Sequence, residues 1–430
     1  MAIDAEGGRV CGRGHRPDRV REERERVARG PLRLRRADER DGGDRHGPRR
    51  RIRVRLAQSG AVFALDAVGQ NLPNRASTQP AKGVVIGADI PLPFGGKLRD
   101  RIGIGLAFYT PTDVIVRGRV LYPETTQFPL LGDRAQSLAV RGGLGAEIAY
   151  GIRAGVGFAA LAEIAGTVVA ATDVTGRVGT RVENQLVATY APVFGVTWDL
   201  PGSSKVRVGL AYRGTLDARF QVVVDGTKLS SISFPLLNIY VLAQYDPAQG
   251  AFQVALVEKL NVLALQLVYK KWSAFPGVLE PTIACSEGGP GACGLVPPRI
   301  DWRDTVAVRI GAEQGFELAP GVVLRGRGGG FLETSALPSE LPGSEAFEMA
   351  SKTDIAVPTR YFDATRVALT TGVGLSLDGS FPPVDVDFYA QYHLLLPRTI
   401  TSTDGAGAEL SKGEASGHIK VFGLTAGVKF

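Results

Sequence analysis

The chain has 430 residues, 55 of them glycine, with 22% charged residues, a mean hydropathy of +0.04 and a formal net charge of +7. It contains no unbroken apolar run of the ~18 residues that a membrane-spanning helix requires, which excludes a helical membrane protein. A transmembrane β-barrel is not excluded, because only every second residue of its strands meets lipid.

The charge is unevenly distributed. Residues 1–57 hold eighteen Arg against ten Asp or Glu, a net +8, whereas the rest of the chain holds 32 basic and 33 acidic residues, a net −1. The first segment has no Lys, Phe, Tyr or Trp and little apolar periodicity. It cannot bury a core and is predicted to be disordered. An arginine-rich arm for nucleic acid is one reading, although the scattered acids cancel much of its field. A secretory signal needs an apolar h-region, and none lies between Met1 and Leu56. The favoured reading is a GC-rich gene translated out of frame, followed by a plain disordered extension; on the favoured reading the true signal peptide and N-terminus are missing. Residues 58–82 read as an irregular lead-in.

From Lys82 the texture is that of repeated strands. Residues 83–92 and 101–109 flank a short turn, and a polar stretch follows over 110–135. In 136–149, Leu138, Val140, Leu144, Ala146 and Ile148 alternate with Ser137, Arg141, Gly143, Gly145 and Glu147. Period two marks a strand with one apolar face. Tyr150-Gly151 turns into a strand over 152–163, and 164–185 reads as a loop. Strands over 186–199 and 206–216 precede a second loop, 219–231. The stretch 232–257, broken at Asp246-Pro247, reads as one kinked strand. A strand over 261–272 precedes a loop over 273–303. Strands 304–317 and 322–332, a loop 333–363, strands 365–377 and 384–396, and a loop 397–415 complete the series up to the last strand. There Phe422, Leu424, Ala426, Val428 and Phe430 alternate with Val421, Gly423, Thr425, Gly427 and Lys429. A terminal phenylalanine closing such a strand resembles the C-terminal assembly signal of bacterial outer-membrane barrels, so the barrel assembly machinery is an expected partner.

Short turns alternate with long loops, as in barrels with short periplasmic and long extracellular connections. Trp198, Trp272, Trp302, Tyr109, Tyr150 and Tyr269 fall near strand ends, where an aromatic girdle sits. The fold class predicted is therefore an all-β, antiparallel transmembrane β-barrel over residues 83–430, in the bacterial outer membrane among its lipid and lipopolysaccharide. Thirteen strands are counted. The first of them runs inward, so a further strand in the N-terminal part would restore an even number.

Several stretches carry a family resemblance. They are Arg207-Val-Gly-Leu-Ala-Tyr-Arg213, Leu267-Val-Tyr-Lys-Lys-Trp-Ser273, Asp304 to Gly311 with Val323-Leu-Arg-Gly326, Phe362-Asp-Ala-Thr-Arg366, and Ala191-Pro192-Val193. Together, over residues 83–430, the chain resembles the outer-membrane transporters of long-chain fatty acids and hydrocarbons (the FadL/TodX type). The resemblance implies a fourteen-stranded barrel with an N-terminal hatch. The family's N-P-A segment is not found here. It also implies passive uptake of hydrophobic small molecules, through a loop groove, a lumen pocket and a sideways exit.

On that reading Val168, Val169, Phe220, Val222, Val224 and Leu229 either line the groove or form ordinary loop cores. Arg141, Arg207, Arg213, Arg309, Arg325 and Arg327 point inward with Glu147, Glu313, Asp385 and Asp387. The favoured role is a salt-bridge lattice in the lumen, with Arg207 and Arg213 also carried as ligand contacts to a carboxylate head group. Cys285 and Cys293, in a predicted extracellular loop, are expected to form a disulfide in an oxidising setting. No His stands at metal spacing beside them, so no metal is expected. His393 lies too far along its strand from Asp385 and Asp387 for either to orient it directly, and no catalytic residue is assigned. No cofactor or nucleic acid is expected, and the barrel is taken as a monomer. A general diffusion porin or a purely structural barrel is the alternative, and an Arg-rich nucleic-acid binder a distant one.

Overall fold

The computed structural model describes residues 52–70, 72, 80–98, 101–112, 123–131, 138–172, 178–200, 205–228, 237–277, 295–296, 298–348, 353–378 and 382–430. The strands are β1 (Arg53–Gln70), β2 (Ala81–Pro91), β3 (Ile102–Pro111), β4 (Ala139–Ala149), β5 (Ile152–Thr172), β6 (Val178–Asp199) and β7 (Val206–Arg213). Then come β8 (Leu216–Lys228), β9 (Leu237–Asp246), β10 (Gln249–Glu258), β11 (Asn261–Lys270), β12 (Leu295–Val296), β13 (Thr305–Ala319) and β14 (Val322–Glu333). The last are β15 (Glu340–Pro342), β16 (Ser344–Glu348), β17 (Thr353–Val357), β18 (Arg366–Leu377), β19 (Val384–Thr403) and β20 (Glu409–Lys429).

Fourteen of these close into an antiparallel barrel. The wall runs β1 to β7 in order, then β10, β11, β13, β14, β18, β19 and β20. β20 pairs with β1 along the whole of β1, from Arg53↔Lys429 to Gln70↔Lys412. Inside hydrocarbon an unpaired strand edge would cost several kcal/mol per bare backbone group, at roughly the price of any unsatisfied amide, so only a closed wall is tolerable. Phe430 N donates to Ile52 O at 2.8 Å, which fixes both ends of the wall on one rim.

That rim also carries the short turns. Tyr150 and Gly151 both have positive φ, 51° and 77°, the twist that a two-residue hairpin loop needs. By the usual asymmetry of bacterial barrels the short-turn rim is periplasmic and the long connections are extracellular. Outward positions form an apolar belt. Leu263, Leu265, Leu267 and Tyr269 of β11 are about half exposed, as are Val306, Val308 and Ile310 of β13 and Phe422 and Leu424 of β20.

Four readings of the sequence are corrected. The strand needed before residue 83 is β1, which begins inside the segment read as disordered and fills most of the expected lead-in. Its period is weakly marked: Arg53 and Arg55 alternate with Val54 and Leu56, but Ala61 to Leu65 is apolar on both faces. Residues 232–257 are not one kinked strand. Asp246-Pro247 separates β9, which pairs with β8 outside the wall, from β10, which is in it; Pro247 has no N–H to continue a ladder. The loops expected at 164–185, 219–231 and 397–415 are largely strand. β5 and β6 continue together to Thr172 and Val178, β8 occupies Leu216–Lys228, and β19 and β20 run on to Thr403 and Glu409. The expected loops over 273–303 and 333–363 hold the small sheet β12–β16–β17 and β15, which pairs in parallel with β19.

The aromatic girdle is also redrawn. Trp198, Tyr150 and Tyr269 are exposed on the outside, but Trp272 and Trp302 are buried in the interior. Tyr109 shares the inward face of β3, where its ring lies over Gly83; a Cβ at Gly83 would meet that ring at 2.3 Å. Leu265→Arg, at the middle of the lipid belt, is expected to lower the unfolding free energy by ~2–4 kcal/mol, as charge at the bilayer midplane does. Urea titration of the barrel in lipid vesicles measures it.

Candidate functional site

The inward positions divide the lumen into two zones. Towards the short-turn rim many are charged, and several of these pair across strands. Asp199, at the end of β6, accepts from Arg207 Nε at 2.5 Å and from Arg153 Nη2 at 2.8 Å. Arg153 Nε stands 3.9 Å from Glu147 across the β4–β5 hairpin. On β13, β14 and β19, Arg327 joins Glu313 and Asp387, each at 2.5 Å. Arg325 lies 3.7 Å from Glu313 and donates to Ser376 Oγ. Lys429 of β20 reaches Asp385 at 3.0 Å and Asp378 at 3.2 Å. Glycine makes one of these contacts possible: a Cβ on Gly374 would stand 2.2 Å from Asp387 Oδ1.

Higher in the lumen, Arg309 lies over the Phe331 ring, 5.6 Å from its centroid. Phe331 meets His393 edge-on at 5.2 Å, and His393 Nε2 bonds Gln391 Oε1 at 3.0 Å. His393 is thus held by an aromatic edge and an amide. At the extracellular end of the wall Glu333 takes Lys270 Nζ and Arg366 Nη2, both at 2.7 Å, with Lys270 and Glu333 buried and Arg366 partly so. A buried carboxylate between two cations is compensated for its lost hydration only because both oxygens are engaged.

Around and above this layer lies an apolar cluster. Phe63 and Leu65 of β1, Leu395 and Ile400 of β19, and Ile419 and Val421 of β20 point inward and are buried. The extracellular connections fold down onto them, bringing Phe128, Leu131, Trp272, Trp302, Leu337, Leu341, Tyr361 and Phe362 into the same cluster. Four aromatics there meet in series at tilted or edge-on angles: Tyr245 lies 5.8 Å from Trp272 and 4.9 Å from Phe275, and Phe275 lies 4.8 Å from Trp302. Phe128 meets Phe362 at 6.0 Å. The two connections are joined by backbone as well, Gln127 N donating to Arg360 O and Phe362 N to Gln127 O.

Asp363 ties this cover to the wall. Its Oδ2 accepts from Ser335 Oγ at 2.7 Å and from Ala336 N at 3.0 Å, and Arg398 of β19 donates to Ser335 Oγ at 2.6 Å. Burial pushes the Asp363 carboxyl above the ordinary range, against the pull of Ser335, Arg366 and the Ala336 N–H. Burial also raises the Tyr361 phenol and depresses the Arg360 guanidinium.

The residues expected to line a groove are partly brought together. β8 packs in parallel on the extended part of β5, setting Phe220 opposite Ile164, Val222 opposite Gly166 and Val224 opposite Val168, with Val169 opposite Asp225. Leu229, Cys285 and Cys293 lie outside the described residues, as does the N-terminal segment up to residue 51 where a hatch would be sought. Arg207 is engaged by Asp199, and Arg213 Nη2 approaches Pro247 O at 3.5 Å. Arg141 stands on the inward face of β4 opposite Ala107. Among the described residues no group of three or more His, Cys, Asp or Glu is placed to hold a metal. The sequence reading missed the apolar cover: Phe128, Leu337 and Leu341 lie in stretches without strand period. Only the Phe362-to-Arg366 motif marked the place.

Among solved structures the chain is similar to a FadL homologue of Pseudomonas aeruginosa, at 13% identity over 88% of this chain and 90% of that one, with a TM-score of 0.55. The chain has the fold of that barrel. It is also similar to the toluene transporter TodX of Pseudomonas putida (11% identity, 89% and 91% covered, TM-score 0.48) and to the toluene transporter TbuX of Ralstonia pickettii (12%, 87% and 88%, TM-score 0.43). No protein-family model and no curated protein matches it. A fourteen-stranded barrel of this kind with an apolar outer belt is an outer-membrane protein.

The raised Asp363 has a consequence for pH. A carboxyl whose folded pKa lies above its unfolded value of about 3.9 binds its proton more tightly when folded, so stability falls as pH rises through that interval. Asp363→Asn removes the ionisation and keeps the hydrogen bonds. It should gain stability relative to the wild type as pH is raised from about 4 to about 7, which denaturant midpoints of both proteins at the two pH values test.

Proposed function

We infer that this barrel is a channel for passive uptake of hydrophobic molecules across the outer membrane. The observation that carries the reading is the extracellular half of the lumen. Extracellular connections and inward strand residues there form one apolar cluster rich in aromatic rings, above a lower zone whose charges are paired with each other. A general porin needs a wet constriction at that height. A hydrophobic solute needs a dry surface, because it gains about 25 cal/mol for each Å² it removes from water. The likeness to a FadL homologue supports the same reading.

In this reading solute first meets the extracellular sheet formed where β8 joins β5, with Val168, Val169, Phe220, Val222 and Val224 as the groove. It then enters the aromatic cluster and leaves through the wall above the charged zone. Arg213, at the extracellular end of β7, is a secondary contact for an anionic head group, whereas Arg207 is committed to Asp199 in the charged zone. Arg141, Glu147, Arg153, Asp199, Arg309, Glu313, Arg325, Arg327, Asp385 and Asp387 hold the wall in register.

Two measurements separate the readings. In planar bilayers the purified barrel should pass little ionic current, and in detergent-free nanodiscs an aromatic hydrocarbon or a long-chain carboxylate should quench the fluorescence of Trp272 and Trp302, measured in a Trp198→Phe background. Large, stable ionic currents would make it a diffusion porin. Low current without any quenching would leave a structural barrel.

A further inference from the structure

The outer surface of β20 changes character abruptly. Its outward positions are apolar from Phe430 to Phe422, with Phe422, Leu424 and Phe430 exposed by 48%, 51% and 63%. The next two outward positions are Lys420, exposed, and His418, half-buried. A strand crosses the hydrocarbon layer in ~9–11 residues, so Lys420 stands where acyl chains give way to headgroups, on the extracellular side. Two strands along the wall, Lys82 of β2 is also exposed. It pairs with Gly60 of β1, which pairs in turn with Phe422. With strands ~4.8 Å apart and ~3.4 Å per residue, the Lys82 and Lys420 backbones are about 12 Å apart, and two extended lysines can converge on one anion.

Three further features fit a built anion surface. The Tyr392 ring of β19 stacks on His418, 5.5 Å between centroids and 24° between planes, which fixes the imidazole at this height. Tyrosine is favoured at that depth because its body is apolar and its hydroxyl wet. None of the ion pairs of the described residues engages Lys82, Lys420 or His418, whereas the lumen cations Arg153, Arg207, Arg327 and Lys429 are all paired. The nearest outward carboxylates on these strands, Asp66 opposite Ser416 and Glu414 opposite Val68, lie beyond the patch towards the loops.

Two lysines outside every ion pair of the described residues, beside an imidazole that can hydrogen-bond, stand at the outer-leaflet headgroup level and are complementary to a phosphorylated glycolipid, whose phosphates sit at that level above its acyl chains. We propose that Lys82, Lys420 and His418 bind a phosphate of the lipid A portion of lipopolysaccharide on the outer wall of β2, β1 and β20. The lipid's acyl chains then lie along the apolar strip from Phe422 to Phe430. This site is independent of what passes through the lumen, since every residue in it faces away from the channel.

The test uses the intact barrel in detergent, with native mass spectrometry to count bound bisphosphorylated lipid A and its enzymatically dephosphorylated form. Wild type should retain the bisphosphorylated lipid, and Lys82→Gln/Lys420→Gln should bind it about tenfold or more weakly, as expected for the loss of two headgroup-level lysines. Lys82→Arg/Lys420→Arg should keep it, and the dephosphorylated lipid should bind all three forms weakly and alike. Because the substituted residues lie on the outer surface, the heat-dependent shift in gel mobility verifies that each variant is folded. Equal retention by wild type and the Gln variant overturns the site. So does equal retention of the two lipids by the wild type, or displacement of bisphosphorylated lipid A by millimolar inorganic phosphate, which would mark a general anion surface.

Discussion

The wall of this barrel depends on one constraint: inside hydrocarbon no backbone N–H or C=O can be left without a partner. A sheet meets that requirement only by returning to its own first strand. Here the return is the β1–β20 ladder, which runs the full length of β1. Closure fixes both ends of the wall at one rim, makes the strand count even, and sorts side chains into lipid-facing and lumen-facing sets along every strand. The long extensions of β5, β6, β19 and β20 follow as well. Once a pair has begun to zip, continuing the ladder above the membrane satisfies the same groups that a loop would leave to water.

The lumen has a second organisation, along the axis rather than around it. Near the short-turn rim, charges from neighbouring strands neutralise each other laterally, as Arg327 does between Glu313 and Asp387. Such pairs suit a wall: each links strands in register, and none is left to bind a passing ion. Near the extracellular rim the strands carry Phe63, Leu65, Ile419 and Val421 inward instead, and the connections supply the rings that cover them. The boundary is the Lys270–Glu333–Arg366 set, whose carboxylate is buried, and beside it Asp363. The apolar cover is therefore anchored on polar contacts, and the solute surface proposed above rests on this arrangement.

Of the candidate site, the inward charges were legible because alternation alone assigns a face. Arg141, Glu147, Arg309, Glu313, Arg325, Arg327, Asp385 and Asp387 all occur on the polar side of a period-two run. Their partners were not legible. Pairing Arg327 with Glu313 required the β13–β14 register, and its contact with Asp387 required β19 and the missing side chain of Gly374. Phe220 and Val224 lie in a stretch outside the wall, Leu216–Lys228, whose strand state comes from pairing with β5 and β9. Trp272 and Trp302 were placed outside. An aromatic residue at a strand end is equally compatible with a lipid girdle and with a turn inward over the rim, and only the packing against Tyr245 and Phe275 decides it.

By itself the sequence determined that this chain is a closed antiparallel barrel, since period-two patterning, glycine-rich turns and the alternation of short and long connections are local and survive without any partner. It also determined the face of nearly every wall strand. The tertiary structure alone decided where the wall begins, because β1 is recognisable chiefly by what it pairs with on either side, Asp89 and Lys429 flanking Arg53. It alone decided that two stretches expected to be loops join as β5 and β8, and that residues scattered from Phe63 to Val421 meet in one apolar cover. The reason is physical. Patterning reports how a residue relates to its own strand, whereas a lumen is made by residues on distant strands and loops that share no local signal.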